Sequence, residues 1–278
     1  MGDSIIHGVP MVLLLVSLGF FAGGYGTLVG LGGAVVLIPV LLLSYPDSEP
    51  QILTSITMGV VFINALTGTS AYARQKRIDY CNGVYFAIAS IPGTIVGVWV
   101  LSYIHQQMFS IIFGAVLLIF SVVIWLRPKS EQVVVPSDET NCALTVRSGV
   151  HFDYACNRPL GIILSFVVGF IAGLLGIGGG IIHMPILLYV LHFPVHIATA
   201  TSHFILAFTG LAGALTHAIA GTYVQSWNIL LWIVLGVIPG AYVGAWLSPK
   251  IKGLMLVRLL ALALVLVGVR LVVLGIWG

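Results

Sequence analysis

The sequence predicts an all-α integral membrane protein of two inverted-topology repeats, each a glycine-broken, re-entrant helical hairpin plus three transmembrane helices. Three observations carry that prediction. Only 7% of the 278 residues are charged while 59% are hydrophobic. Soluble domains carry about 25% charged residues, so most of this surface must meet lipid. Two long apolar runs are interrupted at glycine clusters. Finally, a set of motifs occurs twice in the same order, displaced by the same length of chain to within one residue.

The run 5–44 exceeds one simple span, which needs about 20 apolar residues, and it is broken at GYGTLVGLGG. Each of its arms is short for a full crossing, which favours a hairpin entering and leaving on one side. The runs 52–73, 83–104 and 108–126 follow. They read as helices because the backbone in hydrocarbon must satisfy its own hydrogen bonds. Residues 127–158, RPKSEQVVVPSDETNCALTVRSGVHFDYACNR, form the one sizeable polar stretch and read as an aqueous linker, with short strands at VVV or CALTV. A second broken run, 159–191, is interrupted at GLLGIGGG, and 196–220, 226–248 and 254–276 complete the pattern. The organisation expected is a first membrane repeat at 1–126, a linker at 127–158 and a second repeat at 159–278, working as one unit.

The repeat is explicit in the residues. Gly30-Leu31-Gly32-Gly33 followed by Pro39 corresponds to Gly176-Ile177-Gly178-Gly179 followed by Pro185. Thr54-Ser55 corresponds to Thr201-Ser202, and Pro92-Gly93, Gly97 and Trp99 to Pro239-Gly240, Gly244 and Trp246. Orientation follows from lysine and arginine, which collect in cytoplasmic loops. They occur at Arg74-Lys76-Arg77, in the linker (Arg127, Lys129, Arg147, Arg158) and at Lys250-Lys252. An even number of crossings per half would put Lys250 and Lys252 opposite the linker. A broken run that makes no net crossing, or makes two, leaves an odd number, brings all three basic sites inside, and places Asp3, Asp47 and Glu49 outside. The halves are then antiparallel, with the N-terminus outside and the linker cytoplasmic.

Several classes of function are excluded. Cys81, Cys142 and Cys156 stand without a CxxC pair, so neither zinc nor redox chemistry is indicated. The net charge of +3 is not gathered into a nucleic-acid footprint. There is no HExxH motif and no paired carboxylate for an intramembrane enzyme, and no cofactor is implied. Asp3 and the apolar sequence running past any cleavage point argue against a cleavable signal peptide. No Asp or Glu falls within a span, so a coupling proton would have to travel on histidine or on the substrate.

Antiparallel repeats with broken helices place a substrate near the midplane, where the breaks meet. Gly32, Gly33, Gly178, Gly179 and Gly180 admit positive φ and close backbone approach. The helices after them would present unpaired amides and positive dipole ends to an anion. Gly93, Gly97, Gly240 and Gly244 read instead as close helix packing. His183 follows the second break and would donate a hydrogen bond or carry a proton; its alternative is a bond to a neighbouring carbonyl. Thr54, Ser55, Thr201, Ser202 and His203 open two equivalent helices, as substrate donors or as caps. Asn64 and Thr57 lie near one face of the first of these helices, and Thr216 and His217 on a later turn of the second, as pore lining or as packing. Arg258 and Arg270 are placed to snorkel, and Trp125, Trp227 and Trp277 to anchor at interfaces.

GLGGAVVLIPVLL from Gly30, GIGGGIIHMPILL from Gly176, and the IPG-xxx-G elements from Ile91 and Ile238 resemble the TauE/SafE sulfite-exporter group, or TSUP transporters. The resemblance covers nearly the whole chain outside the linker. It implies a prokaryotic inner-membrane permease for a small sulfur-containing anion such as sulfite or an organosulfonate. The anion would be bound between the two GxGG breaks and moved by rocking one repeat against the other. The partners implied are that anion, the lipid bilayer and a coupling proton. One departure is Ala34, where the second break has Gly180, so the two cradles are not equivalent. An anion channel with a midplane constriction and a metal-ion permease using His183, His192, His196, His203 and His217 are the alternatives. No acidic partners accompany those histidines in the spans.

Overall fold

The computed structural model describes residues 9–45, 48–126, 141–145, 151–155 and 157–251, with scattered helical positions between 255 and 273. The first half contains α1 (Val9–Val29), α2 (Ala34–Ser44), α3 (Pro50–Arg74), α4 (Tyr80–Leu101) and α5 (Gln106–Leu126). The second half contains α6 (Arg158–Leu175), α7 (Gly180–Tyr189), α8 (Val195–Ile219) and α9 (Trp227–Leu247). Six of these, α1, α3, α4, α6, α8 and α9, are long and apolar enough to cross a bilayer.

The two broken runs have unequal arms, unlike the near-equal arms expected from sequence. Helices α1 and α6 reach 21 and 18 residues, whereas α2 and α7 stop at 11 and 10. At 1.5 Å per residue the short helices are only about 16 Å long, half the hydrocarbon thickness. Gly33 and Gly179 precede them with φ of 84° and 90°. This left-handed geometry is open to glycine at little cost, and it lets each chain turn sharply between the long helix and the short one.

The linker carries a hairpin, β1 (Asn141–Thr145) antiparallel to β2 (His151–Ala155), with Cys142 opposite Tyr154. This is the strand expected at CALTV; the VVV segment, Cys156, Trp277, Asp3 and Asp47 lie outside the described residues. Tyr154 docks the hairpin on the membrane unit. Its ring packs 4.7 Å from that of Phe193, and its hydroxyl donates to Asp79 at 2.6 Å.

Glycine decides which helices touch. A Cβ on Gly23 of α1 would lie 2.7 Å from the Val237 carbonyl oxygen of α9, and one on Gly240 would strike the Phe20 carbonyl. On the other side of the molecule, a Cβ on Gly93 or Gly97 of α4 would strike the carbonyls of Phe166 or Phe170 in α6. Gly169 and Gly173 of α6 meet Ser90 and Thr94 in the same way. Such backbone-to-backbone contact suits small residues, because lipid offers helices no hydrophobic drive to associate. These pairings make α1 run parallel to α9 and α4 parallel to α6. Between them α3 and α8 cross antiparallel, with Gly68 against His203, Phe62 against Gly210 and Met58 against Gly213.

The basic segments gather at one end of the bundle. Gln75 Nε2 donates to the Ala245 carbonyl at 3.1 Å, joining the α3–α4 loop to the end of α9. Arg158 Nε donates to Asn82 Oδ1 at 2.8 Å, joining the linker to α4. Lys250 Nζ sits 3.0 Å from the centre of the Trp246 ring. At the opposite end, Tyr223 in the turn Thr222–Gln225 donates from its hydroxyl to the Ser55 carbonyl at 2.9 Å.

Candidate functional site: the meeting of the two glycine breaks

The two breaks touch. A Cβ on Gly180 would lie 2.7 Å from the Gly30 carbonyl oxygen and 2.9 Å from the Leu31 carbonyl carbon. Residues 26–35 and 172–185 are buried throughout. Each break is held by a hydroxyl from the opposite half of the chain. Thr57 Oγ1 on α3 donates to the Gly176 carbonyl at 2.8 Å, and Ser202 Oγ on α8 donates to the Gly30 carbonyl at 3.1 Å. Thr209 Oγ1 adds a bond to the Gly178 carbonyl at 2.6 Å.

The Gly30, Gly176 and Gly178 carbonyls are thus satisfied, and the amides of Gly30, Leu31 and Gly32 turn back to the Gly26 carbonyl, as those of Gly176 and Ile177 do to Ala172. After each break the first helical hydrogen bonds run from Val36 and Leu37 to Gly33, and from Ile182 and His183 to Gly179. The amides of Gly33, Ala34 and Val35, and of Gly178, Gly179, Gly180 and Ile181, find no acceptor among the described residues. A buried donor without a partner costs about 1–3 kcal/mol, and each of the two touching breaks is followed by a helix start with its positive dipole end. A small anion between them would relieve both penalties.

Two apolar side chains from the crossing helices stand in that volume. A Cβ on Gly178 would strike Val61 Cγ1, and one on Gly32 would lie 2.5 Å from Leu206 Cδ2 and 3.2 Å from Val61 Cγ1. Leu206 also reaches to within 2.9 Å of a Cβ on Gly180. Val61 and Leu206 are both fully buried, and with the bonds at either end of the bundle they leave the centre occluded.

The remaining predicted site residues divide. Asn64 accepts from Thr27 Oγ1 at 3.0 Å, and its Nδ2 has no partner among the described residues. His203 lies beside Gly68, 5.8 Å from the Tyr72 ring centroid, and both of its ring nitrogens are likewise unpartnered. Tyr72 in turn donates to the Thr27 carbonyl at 2.6 Å. His183 packs with Nδ1 against Gly179, and neither ring nitrogen is in hydrogen-bond geometry with a partner among the described residues. Thr54, Ser55 and Thr201 turn away from the breaks through their hydroxyls. Thr54 and Ser55 donate to carbonyls of their own helix, at Pro50 and Ile52, although the Thr54 side chain packs on Gly176. Thr201 accepts from the Asp79 amide at 3.1 Å in the basic loop. Neither pair caps a helix, because α3 and α8 begin earlier, at Pro50 and Val195.

Sequence reasoning missed Val61, Leu206, Thr27 and Tyr72. The first two are ordinary apolar residues within apolar helices, and no local signal separates them from lipid-facing neighbours. Thr27 and Tyr72 are polar groups within apolar runs, and that signal was present. Arg258 and Arg270 are both exposed.

A family model described as "Sulfite exporter TauE/SafE" matches residues 15–271. The "Probable membrane transporter protein YunE" of Bacillus subtilis is 31% identical over 272 residues, covering 96% of this chain and 99% of that protein. "Probable membrane transporter protein YjnA" of the same organism is 28% identical over 271 residues, covering 94% and 100%. A "Probable membrane transporter protein" of Haemophilus influenzae is 24% identical over 254 residues, covering 88% of each chain. No solved structure matches.

Proposed function

The chain belongs to the TauE/SafE sulfite exporter family of membrane transporters, and from that premise we propose that it carries a small sulfur-containing oxyanion, such as sulfite or a short organosulfonate. The observation that carries the reading is the set of buried amides of Gly33, Ala34, Val35 and Gly178 to Ile181, without an acceptor among the described residues, at two breaks that touch. Oriented backbone amides bind an anion without a fixed cation beside it. The occupant is small, because Val61 and Leu206 border the same space.

In this reading the halves are inverted repeats, and each glycine break is the turn of a re-entrant hairpin. Its support is the running direction of the helices. Helices α1, α3 and α9 share one direction, α3 and α8 are antiparallel, and α4 and α6 share a direction. Since α1 and α3 run the same way, the chain between them returns to the end from which α1 set out. The corresponding return joins α6 to α8. Alternating access then amounts to one half tilting about the α3–α8 crossing, parting the bonds at one end and then at the other. The end that gathers the basic segments faces the cytoplasm of a prokaryotic inner membrane.

The test is uptake into proteoliposomes of sulfite, sulfate, thiosulfate and two-carbon sulfonates, each with and without a pH gradient. Saturable uptake of one or more of these is expected, and the same anion should raise the thermal stability of the detergent-solubilised protein by mass action. Failure to move or bind any of them, with transport of divalent cations instead, would overturn the reading in favour of a metal-ion permease.

A further inference from the structure

Arg77 stands apart from the other cations at the basic end. Arg158 hydrogen-bonds Asn82, and Lys250 lies over Trp246, while Arg77 is 4% exposed. Lys76, just before it, adopts φ of 54°, a left-handed conformation that is uncommon and costly for a side-chain-bearing residue. That turn tucks the next side chain under the loop. The guanidinium stacks 5.6 Å from the Tyr72 ring centroid, and its Nη1 donates to Gln75 Oε1 at 3.0 Å. Its Nη2 is buried with no partner among the described residues.

No carboxylate balances this charge among the described residues. Asp79, two positions on, accepts from the Asn82 amide at 3.1 Å, from the Asn82 side chain and from Tyr154 at 2.6 Å. The Asp79 amide donates to Thr201 Oγ1 at 3.1 Å and so ties this loop to α8, where His196, earlier in the same helix, has a buried Nδ1 with no partner among the described residues. Burial holds the Arg77 pKa below its ordinary value, yet a guanidinium remains charged at any physiological pH. A buried charge with one neutral acceptor and no counter-charge is among the costliest arrangements in a protein. It persists where something of opposite charge visits.

The position fits a visitor bound for the centre. Tyr72, under the guanidinium, donates to Thr27 at the first break, and Thr27 donates to Asn64 beside His203. The polar path thus runs from Arg77 to the glycine breaks with no acidic side chain along it. We propose that Arg77, with His196, is a second oxyanion site, a cytoplasmic-side vestibule that takes the transported anion before or after the central amides. The proposal rests on the reading of the protein as an oxyanion transporter. The site would open as the Gln75–Ala245 bond parts, freeing the fork of Arg77 to grip two oxygens of a sulfite or sulfonate.

The test compares Michaelis constants for the best anion of the panel in right-side-out and everted membrane vesicles carrying wild type, Arg77→Gln, Arg77→Lys or His196→Gln. For Arg77→Gln the constant measured from the cytoplasmic face should rise roughly ten- to a hundredfold, as loss of a charged hydrogen bond implies. The constant from the opposite face should stay within about twofold. Arg77→Lys should recover part of the loss, because it keeps charge without the fork. His196→Gln should show the same asymmetry at roughly threefold, and it carries the test should Arg77→Gln fail to fold. An unchanged cytoplasmic-face constant, or equal losses at both faces together with lowered thermal stability, would overturn the proposal and leave Arg77 a structural latch. If the wild type moves no oxyanion at all, the transport reading itself fails, a result visible before any variant is made.

Discussion

Val61 and Leu206 are unremarkable in composition and decisive in place. Each belongs to one of the two crossing helices, and each reaches across a glycine that must stay bare. Gly178 is doubly constrained, by φ of 68° and by Val61. A methyl group there would pay twice. Gly178→Ala should therefore lower thermal stability in detergent by more than Gly221→Ala, which has a similar φ of 74° but nothing within 4 Å of a Cβ. The strain term alone is about 1 kcal/mol. In the double variant Gly178→Ala with Val61→Ala the clash disappears and the strain stays, so the two changes should be non-additive by roughly 0.5–3 kcal/mol. Strict additivity would show that Val61 does not occupy the break. On transport, Val61→Ala and Leu206→Ala should shift selectivity toward bulkier sulfonates relative to sulfite, read as a ratio of uptake rates in proteoliposomes.

At the scale of elements, each break is held by its own preceding helix and also by a hydroxyl from the other half of the chain. Thr57 serves Gly176, and Ser202 serves Gly30. Thr57→Val keeps the shape and strands a buried carbonyl, which should cost about 1–3 kcal/mol; Ser202→Ala should cost a similar amount. Both would be measured as loss of thermal stability, and both should slow transport under the proposed rocking, because each bond joins the two halves. A Thr57→Val protein of wild-type stability would mean that water already serves the Gly176 carbonyl. These cross-connections bear on what could be read in advance. The glycine breaks, the polar linker and the packing glycines at 93, 97, 240 and 244 were legible, because backbone geometry and small size are written in residue type. The repeat flagged Thr54 and Thr201, but their hydroxyls turn to their own helix and to the Asp79 amide. Periodicity names a helix and leaves its rotation open, and rotation decides whether a hydroxyl meets a break, a loop or its own carbonyl. The unequal arms were illegible for a related reason: glycine marks where a helix stops, and tertiary packing fixes how deep in the bilayer that happens.

The whole molecule makes a claim about sides. Three separated basic segments meet at one end through Gln75–Ala245, Arg158–Asn82 and Tyr154–Asp79, whereas the loop after α4 and the turn after α8 lie at the other. The proposed inverted arrangement of the two halves accounts for this gathering of the basic segments. The exposed Cys81 reports one end, and Tyr103 and Val224, 79% and 85% exposed, report the other. In a background with Cys142→Ser and Cys156→Ser, a membrane-impermeant maleimide should label Cys81 in everted vesicles and spare it in intact cells. With Cys81→Ser added, Tyr103→Cys and Val224→Cys should behave in the opposite way. Labelling of Cys81 and Val224→Cys from the same side would break the antiparallel relation of α3 and α8, and the proposed anion site at the two breaks would go with it. Agreement of all three probes would instead tie the direction of each helix dipole to a side of the membrane, as an anion site built from backbone at mid-depth requires.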